Sequence, residues 1–541
     1  MRARTPRSRH AWRRGSRRLV GKERSSRVGR RAMLSSRPLQ LRMRPAPRLS
    51  LARTTLASLV ADAVLAVVTV AAIPYLVRHL GAERYGIFGL ISVIAGQLVG
   101  LHLGIGWAAT RRLAETRARG EPGATLRGVL LLALGSSLLV AAAFAVLATL
   151  AWTRAFRGSA DVLQAAVATV PAGVLIAGLQ PALQAVHGIL YGQERFSMVV
   201  GLRLGHGIVR LAAPVAAVAL GGGVLAALWS QAGADLLAAS SMAVVILHGA
   251  ERRPAAALAG EIRLLAAIGV PFAVAGVFAA LLADVEKLAI GMARSVEDFT
   301  YYSVPFNATL RLSVFAVALA SVLASRLSSL KAAGDVAGAV GLARRARRIS
   351  VAAMTLVVAP VVAVVPELLT LWLGPDFARR STLLTRVLLV ALLPRTISYI
   401  TESVLRATAR PVAFTVLYGL ELPLHLVAVY LLVRAAGVQG AAIAWMLRVV
   451  LDAAAQWVMA GRALGAALGG ALEALGAPLA LGLLAAACQA LDGAASAWLR
   501  LGAGVALGAA FVGRSLSRED WSIFRRMLLP PVAPEAGSTS G

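Results

Sequence analysis

Residues 221–229 read Gly-Gly-Gly-Val-Leu-Ala-Ala-Leu-Trp, and residues 437–445 read Gly-Val-Gln-Gly-Ala-Ala-Ile-Ala-Trp. Gly221 pairs with Gly437 and Trp229 with Trp445. At an offset of 215–216 residues, Arg111 also aligns with Arg326 and Arg195 with Arg410. Each match alone carries little weight in a chain so rich in Ala, Leu and Gly. Together they set landmark residues at equivalent ends of apolar runs, which marks an internal repeat.

Working outward from that repeat, the chain from Thr54 onward is a succession of apolar runs. There are fourteen, near 54–77, 85–107, 125–152, 163–188, 198–220, 224–247, 264–292, 300–325, 349–373, 382–405, 412–433, 438–460, 472–490 and 494–513. Runs of about 20 residues span a hydrocarbon layer about 30 Å thick. Six runs separate the repeat copies, so both copies start on the same side of the membrane. A parallel repeat about an axis along the membrane normal is an architecture of alternating-access transporters, with the substrate site between the halves. The expected fold is therefore an all-α integral membrane protein of about fourteen transmembrane helices. Two six-helix bundles, 54–247 and 264–460, are followed by two extra helices over 472–513. A basic tail (1–53) and a short C-terminal tail (514–541) flank them.

Composition agrees. Of 541 residues, 58% are hydrophobic and 15% charged, with mean hydropathy +0.74. Soluble domains carry about 25% charged residues. The formal charge of +31 would suggest nucleic acid in a soluble protein, but the apolar fraction excludes that class. Much of the excess lies in residues 1–50, which hold 17 Lys+Arg and one acid, Glu23. That segment cannot bury a core and reads as disordered. Arg17-Arg18 lacks the apolar region of a secretory signal, and Met33 and Met43 are alternative starts that would make part of the tail an artefact.

Basic residues elsewhere alternate between connections. Arg111, Arg112, Arg252, Arg253 and the run Arg344 to Arg348 fall on one side, and far fewer fall on the other. Lys and Arg are retained on the cytoplasmic side, so both termini are expected in the cytoplasm. None of the three lysines, Lys22, Lys287 and Lys331, precedes Ser or Thr, so there is no phosphate-cradling Walker A loop. Cys488 is the lone cysteine. No catalytic motif is present, no cofactor is implied, and the chain does not read as an enzyme.

Two stretches then resemble the Wzx-type oligosaccharide flippases of bacterial polysaccharide biosynthesis. The first is Leu80-Gly81-x-x-x-Tyr85-Gly86-x-Phe88 with Leu103-Gly104-x-Gly106-x-Ala108-x-x-Arg111. Its second-half counterpart is Asp284-x-x-Lys287 through Ile290-Gly291 to Tyr301-Tyr302. Leu371-Trp372-Leu373-Gly374-Pro375-x-Phe377 and Gly440-Ala441-Ala442-Ile443-Ala444 are further matches, and the likeness covers roughly residues 51–528. That family shares a superfamily with multidrug (MATE) exporters and lipid II flippases. The resemblance implies two bundles around a central cavity and secondary-active flipping of a polyprenyl-diphosphate-linked oligosaccharide from the cytoplasmic to the outer leaflet. It also implies coupling to H+ or Na+, with a polysaccharide polymerase and glycosyltransferases as further partners. Nucleic acid is not among the expected partners.

Ionisable groups within spans are costly and mark pathways or paired sites. The basic residues there include Arg203, Arg210, Lys287, Arg311, Arg386, Arg395 and Arg448. A diphosphate in a wet cavity suits planar guanidinium groups, so Arg203, Arg210, Arg311 and Arg395 are the candidates for that contact. Ion coupling needs a carboxylate in a low-dielectric site, and Asp62, Asp235, Asp284, Glu402 and Glu421 are the candidates. Arg448–Asp452 and Glu402–Arg406 have the i, i+4 spacing of self-neutralising pairs. His102 and His187, at span ends, read as interfacial. The alternatives are a lipid II flippase or MATE-like exporter. From another class come a membrane glycan polymerase, which needs a larger external loop, and a non-transporting scaffold.

Overall fold

Backbone N–H and C=O groups in hydrocarbon find no water, so each apolar run must hydrogen-bond within itself as helix. The computed structural model describes residues 48–520, apart from 119–121, 248–254, 408–410, 470, 518–519 and scattered positions between 315 and 332. The tail before residue 48, the tail beyond 520, Arg410 of the repeat and the side chain of Arg406 lie outside the described residues.

Among the described residues the regular structure is wholly helical. In the first half, α1 is Arg48–Leu80, α2 Ala82–Gln97, α3 Ile105–Ala118, α4 Pro122–Leu150, α5 Ala160–Ala168, α6 Val170–Gly192, α7 Phe196–Ala219 and α8 Val224–Leu247. In the second, α9 is Ala255–Ala293, α10 Val296–Arg311, α11 Val336–Ala363, α12 Val365–Leu373, α13 Pro375–Ala407 and α14 Pro411–Leu464. Helices α15 (Ala471–Leu491) and α16 (Ala497–Ser515) close the chain. Thirteen of the fourteen expected runs fall on these helices or on the breaks between them; run 300–325 lies on α10 as far as Arg311, and several of its later positions lie outside the described residues. Seven helices are, among the described residues, long and apolar enough to cross a membrane, and one of them runs for 50 residues over Thr415–Leu464.

The repeat survives in the backbone. Gly221, between α7 and α8, has φ 85°, and Gly437, where two helices meet inside α14, has φ 58°. Both adopt a left-handed conformation that glycine alone enters without penalty. The environments have diverged: Trp229 is 44% exposed, whereas Trp445 is 2% exposed and packs edge-on against Phe306 at 5.1 Å.

Four expected runs prove to be broken, one of them, 300–325, at a turn over Leu312 and Ser313 where α10 ends. Run 85–107 bends by 51° through a 3-10 turn over Leu98–His102. There Leu103 (φ 52°) and Gly104 (φ 57°) both leave the helical region. Run 163–188 is divided at Thr169, between α5 and α6, and run 349–373 at Val364, just before Pro366. The first bend has a packing cause. A Cβ on Gly269 of α9 would sit 1.9 Å from the Leu103 carbonyl oxygen, so α9 crosses the bend backbone to backbone. His102, expected at the interface, is instead buried in this turn.

Helices α9 and α10 hold the halves together. On one side α9 packs against α2, α3 and α4, and on the other against α14; α10 packs against both α2 and α13. A second tie joins α1 to α12. Arg78 donates to the carbonyls of Leu371 and Trp372 (3.1 and 3.0 Å), and Trp372 Nε1 donates to the Val70 carbonyl at 2.8 Å.

The last two helices, outside the repeat, are docked by buried charge. Arg386 of α13, 1% exposed, grips Asp492 through both terminal nitrogens (2.6 and 2.9 Å) and also donates to Gln489 of α15 at 2.7 Å. Arg500 of α16 donates to Asp492 at 2.5 Å and to Glu367 of α12. Arg500, near the start of the last expected run (494–513), is 5% exposed.

The basic run that starts α11 is equally occupied. Arg344 donates to the carbonyls of Ala467 and Leu468, Arg347 lies over the Trp457 ring at 5.2 Å, and Arg345 and Arg348 pair with Asp520 (2.9 and 3.1 Å). Burial opposes ionisation of Asp520, but hydrogen bonds from Ser517 and the two arginines outweigh it and hold the carboxyl below its ordinary range. The clasp is therefore complete at neutral pH and is lost only as acid passes below that range.

Two outcomes follow. Gly269→Ala, which forces a methyl into the α9 crossing, lowers stability by about 1–3 kcal/mol, whereas Gly260→Ala, with open space around it, does not. Thermal unfolding in detergent separates the two. Arg386→Gln, which removes one of the two arginines on Asp492 and leaves Gln489 Oε1 without its donor, lowers stability by about 3 kcal/mol. Arg379→Gln, at an exposed pair with Asp376, leaves the same unfolding curve within about 1 kcal/mol.

Candidate functional site

A cavity of about 440 Å³ lies where α1, α2, α7, α8 and α10 converge. Thr69 of α1, Tyr85 and Ser92 of α2, Arg210 of α7, Gln231 of α8, and Asn307 and Arg311 of α10 supply its polar wall. Its volume falls in the range of about 300–1,000 Å³ typical of ligand sites. Two of the four candidate arginines thus face one space, from opposite halves of the repeat.

Helix α7 presents Arg203, His206 and Arg210 on one face, as their i, i+3, i+7 spacing requires. Each side chain finds its own partner. Arg203 pairs with Asp62 of α1 at 2.5 Å. His206 Nε2 and Arg210 Nε share a single oxygen of Asp235 from α8, at 2.7 and 2.9 Å. Asp235 is fully buried, and its second oxygen has no hydrogen-bond partner. Arg210 is held by its Nε alone, which leaves its terminal nitrogens for the cavity. Arg311 forms no ion pair among the described residues.

Behind the cavity wall, Lys287 of α9 bonds Asp284 at 2.7 Å and Asn307 at 3.2 Å, with its ammonium 4.6 Å above the Phe306 ring. Cations over aromatic faces are favoured by the ring quadrupole.

A smaller cavity of about 170 Å³ lies among α9, α10, α13 and α14, and Leu310 borders both. Arg395, Tyr399, Tyr418, Trp445, Arg448 and Asp452 line it. Arg395 stacks on Tyr399 at 4.5 Å and pairs with Glu402 (3.4 Å) and Asp452 (3.6 Å). The expected Arg448–Asp452 pair is not the one formed. Asp452 turns to Arg395 and Ser398 (2.9 Å) of α13 and accepts from Gln456, one turn on in its own helix (2.6 Å), and these bonds take the place of the contact with Arg448. Glu421 of α14 is half-buried beside Arg448, its carboxyl meeting that of Asp452, and no N–H or O–H donor reaches either of its oxygens.

Four of the five candidate carboxylates therefore already hold a cationic partner: Asp62, Asp235, Asp284 and Glu402. Of the candidate arginines, Arg203 and Arg395 are engaged away from the larger cavity. Sequence reasoning did not single out Gln231 or the pair formed by Glu286 of α9 and His425 of α14, 2.8 Å apart. No local signal announces a contact between residues 139 positions apart.

Known proteins resemble the chain in two ways. A family model described as polysaccharide biosynthesis protein matches residues 51–372. A Shigella flexneri protein named as an O-antigen transporter is 24% identical over 190 residues, which is 34% of this chain and 44% of that protein's length. Among solved structures, an inward-facing multidrug resistance MATE transporter of the MOP superfamily has TM-score 0.61 at 14% identity, covering 76% of this chain and 98% of that one. The lipid II flippase MurJ has TM-score 0.59 at 11% identity, covering 89% and 99%. These structural likenesses establish the fold. The chain belongs to the polysaccharide biosynthesis protein family and folds as a multi-pass helical membrane protein of the kind shared by MATE transporters and the lipid II flippase.

Proposed function

We propose that this chain is a secondary-active flippase, not an enzyme, that carries a polyprenyl-diphosphate-linked oligosaccharide from the cytoplasmic to the outer leaflet of the bacterial inner membrane. In this reading the bundles 54–247 and 264–460 rock against each other, with both termini in the cytoplasm. The observation that carries it is the larger cavity, into which α7 and α10 bring Arg210 and Arg311. Two guanidinium groups from opposite halves suit a diphosphate. Each offers paired N–H donors to phosphate oxygens, and a substrate bridging them would couple its own binding to the approach of the halves.

The neutral polar groups beside them, Gln231, Asn307, Ser92 and Thr69, suit the hydroxyl groups of a sugar adjoining the diphosphate. Arg203 and Arg395 take supporting parts, holding Asp62 and the Glu402–Asp452 network. The prenyl chain remains in lipid, so the cavity need accept only the headgroup. Export of a cationic drug fits less well, because the two charged side chains lining this cavity are both arginines. Coupling to H+ or Na+ falls to carboxylates in the spans, with Asp235 and Glu421 the most buried of the candidates that keep an unpartnered oxygen.

Deletion of the gene is expected to leave lipid-linked oligosaccharide accumulated facing the cytoplasm, with surface polysaccharide lost. In the complemented strain, Arg210→Ala or Arg311→Ala lowers surface polysaccharide at least about tenfold, the loss expected for about 1.4 kcal/mol of charge-assisted hydrogen bonding. Lys at either position restores part of it, because the charge returns without the planar fork. Full surface polysaccharide in the Arg210→Ala, Arg311→Ala double variant, at normal membrane abundance, would overturn the assignment.

A further inference from the structure

Buried polar atoms in folded proteins are nearly all hydrogen-bonded, to protein or to ordered water. Five side chains between α9, α10 and α14 break that rule in one neighbourhood. Glu286 and His425 are each 1% exposed and bond each other at 2.8 Å, yet Glu286 Oε2 and His425 Nδ1 have no partner. One helical turn before His425, both oxygens of Glu421 are likewise unpartnered. The Tyr302 hydroxyl, within electrostatic reach of Glu286 and Arg448, and Arg448 Nε complete the group. Such atoms need water, and a polar space holds water only where several groups can bond it. The Glu421 end meets the smaller cavity, which is lined by Tyr418, Arg448 and Asp452 from the same helix.

We infer that Glu286 and His425, linked through bound water to Glu421, form a proton-carrying site in the second half of the protein. It rests on the transporter reading only in supplying that transporter's coupling ion. With His425 donating from Nε2 to Glu286 Oε1, one proton added at Nδ1 makes an imidazolium beside a carboxylate, a pair with no net charge. Its departure through Glu421 and the smaller cavity leaves imidazole and carboxylate, at net charge −1. A dry site tolerates the first state far better than the second, so proton release is tied to the opening that admits water. Sodium is the poorer occupant, because hard cations take oxygen ligands and here one member of the pair is an imidazole nitrogen. The other charged groups around the site are Asp284 and Lys287 on α9, Arg395 and Glu402 on α13, and Arg448 and Asp452 on α14. Lys287 is neutralised by Asp284, and Asp452 is held by Arg395.

The test is magic-angle NMR of the full chain, labelled with 15N-histidine and reconstituted in lipid, from about pH 5 to about pH 9, the interval in which imidazole titrates. One imidazole signal, absent from His425→Gln, should pass between neutral and imidazolium forms. Glu286→Gln, which removes the carboxylate that stabilises the cation, should lower its midpoint by about one pH unit or more. If Glu286→Gln does not reach the membrane, Glu421→Gln should lower the same midpoint by a smaller amount. A His425 signal that keeps one form throughout, or a midpoint indifferent to these carboxylates, overturns the site. No substrate is needed, so this failure is distinct from a failure of the flippase reading, which the Arg210 and Arg311 variants report through surface polysaccharide.

Discussion

Lipid removes the hydrophobic force that would drive one apolar helix against another, so association rests on close backbone packing and on polar contacts between helices. This protein uses both, in different places. The crossing of α9 over the bend at Leu103 depends on Gly269, where even a methyl group would meet the Leu103 carbonyl oxygen at 1.9 Å. The docking of α15 and α16 depends on Arg386 and Arg500 converging on Asp492. Between these extremes, most charges carried into the apolar layer are answered from another helix: Arg203 by Asp62, Arg210 by Asp235, His425 by Glu286.

That pattern gives meaning to the groups left unanswered. Arg311 faces the larger cavity without an ion pair among the described residues, and Arg210 is bound through one nitrogen. Glu421, Glu286 Oε2 and His425 Nδ1 are buried without a hydrogen bond. In a molecule that pairs charge so consistently, unpaired groups cluster where something else arrives. Anionic headgroup chemistry suits the first set and proton chemistry the second. In the proposed reading, placing them at different cavities lets one conformational change respond to both, since a ligand shifts an equilibrium only by its differential affinity for the two states.

Much of the fold was legible before any coordinates. Most of the expected apolar runs lie on helices, and the repeat-related glycines Gly221 and Gly437 both break helices with positive φ. What misled was continuity. Runs 85–107, 163–188 and 349–373 look unbroken because apolarity carries no mark of a bend, and Leu103 at φ 52° is a residue no propensity would place there. The site was legible as a set of residue types rather than as pairings. An i, i+4 rule paired Arg448 with Asp452, whereas Asp452 is taken by Arg395 and Ser398 from α13 and by Gln456 on the other side of it in its own helix.

By itself the sequence determined that this chain is an all-helical membrane protein, repeated within itself, with a small number of ionisable groups committed to its interior. Length and apolarity suffice for that, because hydrocarbon leaves the backbone no other way to satisfy its polar atoms. Only the tertiary structure decided which charge answers which. It brought Arg210 and Arg311 from opposite halves to one cavity, Glu286 to His425 across 139 residues, and Arg500 together with Arg386 onto Asp492. Those pairings depend on how helices cross, and crossings follow from small residues and buried partners distant in the chain, which no local pattern records.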